Sequence, residues 1–304
     1  MIKVIASDMD GTLLNNNHEI DEETAKAIKK AEEKGIIFVI STGREYENVK
    51  YLLDKQNIKC QCILSNGAEY RDEMGNILDV ININEKSSRK ILKILKENNI
   101  SARMFTNKGI YTTATKEEAL LEVTFRTLAF DPHLTKEEAK KIAEKEKFFT
   151  CLKYIDDFEK FFEEGIEIRK FVAFHEDIKL IEKLKKIIGE IEGLAVSSSF
   201  NDNIEITDIN AQKGIILEKV ITKMGIDKKD VMILGDSFND YSMFEIFEES
   251  VAMKNAISEI KKIAKYITDT NDNQGVAKAI YNVLNNKMDN MKKYKNYIIN
   301  KVME

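Results

Sequence analysis

The chain has 304 residues, enough for about two domains of ordinary size. Hydrophobic residues make up 43% and charged residues 33%, a balance that supports packed cores and argues against disorder. Lys+Arg 47 against Asp+Glu 52 leaves a formal charge of −5, a poor match to the basic face of a nucleic-acid-backbone binder.

No apolar run reaches the roughly 18 residues of a membrane span, and the opening MIKVIASDMDGTLL lacks the basic-then-apolar layout of a signal peptide. The three cysteines, Cys60, Cys62 and Cys151, cannot all pair with one another. A cytoplasmic chain with no membrane or nucleic-acid partner is expected. His18, His133 and His175 are widely scattered, which disfavours a histidine metal cluster or a Ser-His-Asp triad. Carboxylates and lysine are left as the reagents. Pro132 is the single proline, so long helices can run without a breaker.

In chain order, Lys3–Ser7 reads as a buried strand ending at Asp8. Asp21–Glu33 has helical spacing, with Ala25, Ile28 and Ala31 on its apolar face, and Gly35 ends it. Ile36–Ile40 is a second strand, Glu45–Lys55 a helix, and Cys62–Leu64 a third strand closed by Ser65-Asn66-Gly67. This alternation implies a parallel sheet. Ala68–Tyr70 and Ile77–Val80 form an appended hairpin. Cys60 and Cys62, beside a buried strand, read as core residues rather than metal ligands.

The middle changes character. Ser87–Asn98 and Lys179–Ile191 are helical, and Ala102–Phe105, Gly109–Thr113, Arg169–Phe174 and Leu194–Ser197 are strands. Phe148, Phe149, Phe158, Phe161 and Phe162 are expected to pack its core, and Arg103, Arg126, Arg169 and Lys170 to be solvated surface cations rather than ligands of a second phosphate or carboxylate. After a strand-like Asn203–Thr207, a helix at Lys213–Met224 and a buried strand at Asp230–Gly235 restore the opening pattern. Short strands follow at Ser250–Met253 and Tyr266–Thr268. The stretch 83–203 is therefore expected to be inserted into one domain made of 1–82 and 204–304. The Asn/Lys/Met-rich tail from Asn285 reads as a solvated helix or frayed end.

Four places combine chemistry with position. Asp8-Met9-Asp10-Gly11-Thr12 ends the first strand, where open α/β sheets bind ligands. Its two carboxylates at i and i+2 could share a hard cation, or Asp10-Gly11 could be a plain turn capped by Asp8. Asp-x-Asp also occurs in metal-dependent glycosyltransferases, a reaction that would leave the remaining motifs unused. Ser41-Thr42-Gly43-Arg44 ends the second strand and opens a helix, as a phosphate site or an ordinary N-cap. Lys213 opens a helix where a cation opposes the dipole, which makes sense if it faces an anion. Gly235-Asp236-Ser237-Phe238-Asn239-Asp240 places two further carboxylates at a strand end.

In this order the four motifs resemble those of the haloacid dehalogenase superfamily of phosphatases. Ser65-Asn66-Gly67-Ala68, Val251–Ala256 and Thr270–Ala277 are similar to its Cof-type branch, with Lys254 standing where that branch usually has Gly. The resemblance covers nearly the whole core, and the insertion falls where the branch carries its α/β cap. It implies an α/β fold, a Rossmann-like parallel-sheet core with an inserted α+β cap domain. It also implies hydrolysis of small phosphorylated metabolites, sugar phosphates foremost. Asp8 would be the nucleophile and Asp10 the general acid and base. Mg²⁺ would be held by Asp8, the backbone carbonyl of Asp10, and Asp236. Met9, Thr42, Gly43, Lys213 and Asn239 would meet the phosphate, and Asp240, Asn66 and Arg44 would support the site. A phosphohexomutase and a catalytically silent ligand-binding regulator are the alternatives. The presence of both Asp10 and Lys213 weighs against the second.

Overall fold

The computed structural model describes residues 1–131, 133–155 and 157–291. Pro132 and the tail beyond Met291, including most of the expected terminal helix, lie outside the described residues. The chain forms two compact units: Met1–Ile81 with Ser197–Phe200 and Thr207–Glu304, and Asn82–Val196 with Asn201–Ile206.

The first unit opens with β1 (Val4–Ser7), β2 (Ile37–Ser41) and β3 (Gln61–Leu64), followed by the hairpin β4 (Glu69–Arg71) and β5 (Ile77–Val80). Every residue of β1 is buried. Such unbroken apolar runs suit strands covered on both faces. The helix Glu22–Glu33 supplies part of that cover. It buries Ala25, Ile28 and Ala31, and the Asp21 carboxylate accepts the Thr24 N–H at 2.8 Å as its N-cap. A cap of this kind is worth about 1 kcal/mol.

The second unit carries β6 (Ala102–Thr106), β7 (Gly109–Thr112), β8 (Lys153–Tyr154), β9 (Ile168–Phe174), β10 (Leu194–Ser197) and β11 (Asn203–Asp208). They form a sheet in the order β10-β11-β9-β6-β7-β8, antiparallel from β11 through β9 and β6 to β7 and parallel at β7 with β8. Its cores gather Leu95, Met104, Phe171 and Leu184 on one side and Ile110, Val123 and Phe149 on the other. The phenylalanines divide between them: Phe158, Phe161 and Phe162 with the first, Phe148 and Phe149 with the second.

The four cations of this unit are not solvated surface charges as expected. Lys170 is 3% exposed and pairs with Glu205 on β11 at 3.2 Å. Arg103 pairs with Glu122 and Arg126 with Glu146, and both guanidinium groups stack on the Phe148 ring. Arg169 is half-buried. Carboxylates and rings within the unit satisfy the first three, which removes them as ready ligands for a second phosphate.

The chain then returns to the first unit with β12 (Val231–Gly235), β13 (Glu249–Ala252) and β14 (Tyr266–Ile267). Among the described residues the sheet order is β14-β13-β12-β1-β2-β3-β4-β5, parallel from β14 to β3 and antiparallel across the hairpin. The order reverses between β1 and β12, which makes their carboxyl ends the topological switch point where such sheets hold ligands. In the described part of the tail, Met288–Asn290 forms a 3₁₀ turn; Asn285, Asn286, Lys287, Asp289 and Asn290 are exposed, as expected of a solvated end, while Met291 is buried in the core.

Candidate active site

The ends of β1 and β12 are stitched together where the Asp8 N–H donates to the Leu234 carbonyl at 3.0 Å. Asp8 is buried there. The chain then turns sharply at Gly11, whose φ of +78° is left-handed and whose added Cβ would lie 2.6 Å from Asp236 Oδ2. A glycine is required on both counts. The turn delivers Thr12, whose Oγ1 donates to Asp236 Oδ1 at 2.6 Å, while Ser237 Oγ donates to Asp236 Oδ2 at 2.7 Å.

Asp240 is fully buried and its two oxygens do different work. Oδ2 accepts the backbone N–H groups of Asp236 and Ser237, at 2.9 and 3.1 Å, which shapes the loop after β12. Oδ1 accepts Lys213 Nζ at 2.6 Å. The same ammonium donates to Asp8 Oδ1 at 2.5 Å. Lys213, first residue of the helix Lys213–Lys223, is itself fully buried. This helix packs so closely on the helix Tyr241–Ile246 that only Gly fits at 214, where a Cβ would lie 2.2 Å from the Ser242 carbonyl.

The loops after β2 and β3 clasp each other. The Asn66 N–H donates to the Thr42 carbonyl and the Ser65 N–H to the Arg44 carbonyl, each at 3.0 Å. Thr42 Oγ1 accepts the Arg44 N–H at 3.2 Å. Thr42 is buried and Gly43 lies in this loop, but the helix begins only at Tyr46. Thr42-Gly43 is thus a loop element rather than a helix N-terminus, which corrects the expectation. Asn66 is buried with φ +59°. Gly67 lets the loop approach the backbone of Gln212, just before Lys213, where a Cβ would lie 2.8 Å away.

Two further placements define the rim of the site. Asp10 lies close enough to Asp8 for its charge to act on it. Its carboxylate pairs with Arg44, which donates from Nε at 2.8 Å and from Nη2 at 2.6 Å. Asn239 Nδ2 donates to Ser199 Oγ at 3.0 Å. The Met9 side chain is buried in the core, which leaves its backbone to serve the loop. Sequence reasoning assigned no role to Thr12, Ser237 or Asn255, although all lie within the quoted motifs. Asn255 Nδ2 donates to the Gly11 carbonyl at 2.7 Å and its Oδ1 accepts the Asn271 N–H at 3.1 Å. Lys254 meets this loop through its backbone, donating to the Asp269 carbonyl at 3.2 Å.

Ligand oxygens of Asp8, Asp236 and Asp240 all lie within 4.8 Å of one another. Their three charges face one ammonium. Burial first, then Asp240, holds the Asp8 carboxyl well above the usual carboxylate range, against the pull of Lys213. Burial and Asp240 also push Asp236 up to about 6. Burial opposes the charge on Lys213, but Asp240 and Asp8 more than offset it and raise its pKa. A buried surplus of negative charge on oxygen donors fits a hard divalent cation.

The sequence profile of the haloacid dehalogenase-like hydrolases matches residues 5–280. The chain belongs to the haloacid dehalogenase superfamily. Within that superfamily it is a Cof-type phosphatase, a phosphoric monoester hydrolase. It is similar to phosphatase YwpJ of Bacillus subtilis (strain 168), with 33% identity over 285 residues, 93% of this chain and 100% of the relative. It is also similar to the 5-amino-6-(5-phospho-D-ribitylamino)uracil phosphatase YwtE of the same organism, with 32% identity, 91% of this chain and 96% of the relative. A solved haloacid dehalogenase-like hydrolase from B. subtilis superposes with a TM-score of 0.81 at 33% identity, covering 92% of this chain and 99% of the other. Among the described residues no helix is long and apolar enough to cross a membrane.

Proposed function

We propose that the chain is a Mg²⁺-dependent phosphatase of small phosphorylated metabolites, sugar phosphates foremost, working through an aspartyl-phosphate on Asp8. The observation that carries this is the state of the three clustered carboxylates. Asp236 is held by Thr12 and Ser237, and Asp240 by Lys213 and two backbone N–H groups. Asp8 gives one oxygen to Lys213, and among the described residues its Oδ2 accepts no hydrogen bond. That leaves Asp8 the carboxylate with an oxygen to spend on phosphorus.

In the first step Asp8 forms a bond to phosphorus as the bond to the leaving oxygen breaks, and Asp10 gives that oxygen its proton. In the second, a water attacks phosphorus, Asp10 takes its proton, and the phosphorus–Asp8 bond breaks to release inorganic phosphate. Lys213 spreads its charge over Asp8 and Asp240, so Asp8 can approach an anionic substrate. Thr42 and the backbone of Gly43 and Met9 bind phosphate oxygens, and Asn239 orients the same group. Asp8, Asp236 and the Asp10 carbonyl would hold the Mg²⁺, whose chemistry when bound is neutralisation of phosphoryl charge. The insertion 83–203 acts as the cap that selects the leaving group.

The name of one relative fits a phosphorylated ribityl compound and leaves the leaving group open. A screen of phosphorylated metabolites that measures free phosphate tests the proposal. Release from sugar phosphates or ribityl phosphates is expected. Conversion of a sugar phosphate to its isomer without release would instead identify a mutase, and binding without turnover a regulator.

A further inference from the structure

We infer that Arg44 is a positioning residue for Asp10, acting on the reaction through the proton donor and not as a ligand of the substrate. The inference rests on the acid–base role proposed for Asp10. The geometry is a two-point fork, Nε to Oδ2 at 2.8 Å and Nη2 to Oδ1 at 2.6 Å. Two parallel bonds fix the plane of a carboxylate as well as its place, which a point charge cannot do.

The two partners are held very differently. Arg44 is anchored through its backbone, its N–H to Thr42 Oγ1 and its carbonyl to the Ser65 N–H. It therefore moves with the loops after β2 and β3. Asp10 sits on the turn beside Gly11, its side chain 38% exposed. Among the described residues the Asp10 carboxylate has no hydrogen-bond partner but Arg44. The charge of Asp8 acts against it. Arg44 is what holds the carboxylate at one place on the rim of the site. The cost of losing that hold falls on whichever step needs Asp10 to deliver a proton.

This gives a signature that a merely structural arginine would lack. An alkyl phosphate loses a poor leaving group that needs a proton, whereas an activated aryl phosphate does not. In the full-length protein, Arg44→Met should lower kcat on the alkyl substrate at least about tenfold more than on the aryl one, a share of the 10²–10⁴ that general acid catalysis supplies. Arg44→Lys, with charge but no fork, should recover only part of the loss. In an Asp10→Asn background, Arg44→Met should add little, since the group it positions is gone. Equal losses on both substrates, additive losses in the double variant, or a raised KM with kcat intact would overturn the inference. The proposed function fails separately: if Asp10→Asn treats both substrates alike, Asp10 is not the acid. If Asp10→Asn discriminates and Arg44→Met does not, only the role of Arg44 falls.

Discussion

Lys213 Nζ stands 2.5 Å from Asp8 Oδ1, although the two residues are 205 positions apart in the chain. The contact exists because β1 and the helix Lys213–Lys223 meet at the carboxyl end of one sheet, with Asp240 closing the other side of the ammonium at 2.6 Å. All three groups are buried, so their charges act on one another with little screening. Lys213→Met would leave Asp8 and Asp240 facing each other without a counter-charge. Removing one partner of a buried pair costs about 3–5 kcal/mol. Urea unfolding in chelator should show a loss of that order together with loss of phosphatase activity. Adding Asp240→Asn should restore part of the stability and none of the activity.

The metal site carries its own pH dependence. Burial and Asp240 push Asp236 up to about 6, above the 3.8 of a free aspartate. Between those values the folded, metal-free protein keeps a proton that the unfolded chain has released. Its stability therefore falls as pH rises through that window. A divalent cation binds the ionised form. The rise in Tm on adding Mg²⁺ should then be small near about pH 5 and large near about pH 7.5. Equal shifts at both would remove Asp236 from the ligand set.

Gly11→Ala tests how tightly the first loop is pressed on that ligand. The new Cβ would lie 2.6 Å from Asp236 Oδ2, in a left-handed conformation that costs roughly 1–2 kcal/mol for other residues. Thr12 and Ser237 prevent Asp236 from stepping aside. The Mg²⁺ concentration for half-maximal activity should rise by about 10- to 100-fold, the usual effect of disturbing a ligand's support. An unchanged Mg²⁺ requirement would mean that the loop yields.

Much of this site can be read from residue order. Val4–Ser7 and Val231–Gly235 are apolar runs that only a doubly covered strand explains, and Asp8 and Asp236 directly follow them. What residue order hides is side-chain direction. The i, i+2 spacing of Asp8 and Asp10 predicts one shared face, but residue order cannot show that the Asp10 carboxylate pairs with Arg44, 34 positions away. Ser41-Thr42-Gly43 matches a helix start, but the clasp with Ser65 and Asn66 delays the helix to Tyr46. Lys170 looks like a surface cation until Glu205 arrives on the neighbouring strand.

Asn255 offers a test of the loop that carries Asp10. It bridges the Gly11 carbonyl and the Asn271 N–H, and Asn271 Nδ2 in turn donates to the Leu14 carbonyl at 2.9 Å. Asn255→Asp keeps the acceptor and loses the donor to Gly11. Its kcat should fall about as far as that of Asn255→Ala, with Tm close to that of the unmodified protein. Full activity in Asn255→Asp would show that the Gly11 carbonyl needs no partner.

The central claim is that Asp8 takes the phosphoryl group. Asp10→Asn keeps Asp8 while removing the group that activates water, and an activated aryl phosphate needs little help in leaving. The phosphoenzyme should therefore build up when this variant meets such a substrate. Intact-protein mass spectrometry after an acid quench, followed by peptide mapping, is the measurement. One added phosphate located on Asp8, and none in Asp8→Asn, is the predicted result. Phosphate on Ser41, Thr42 or Ser237, or full turnover by Asp8→Asn, would contradict it.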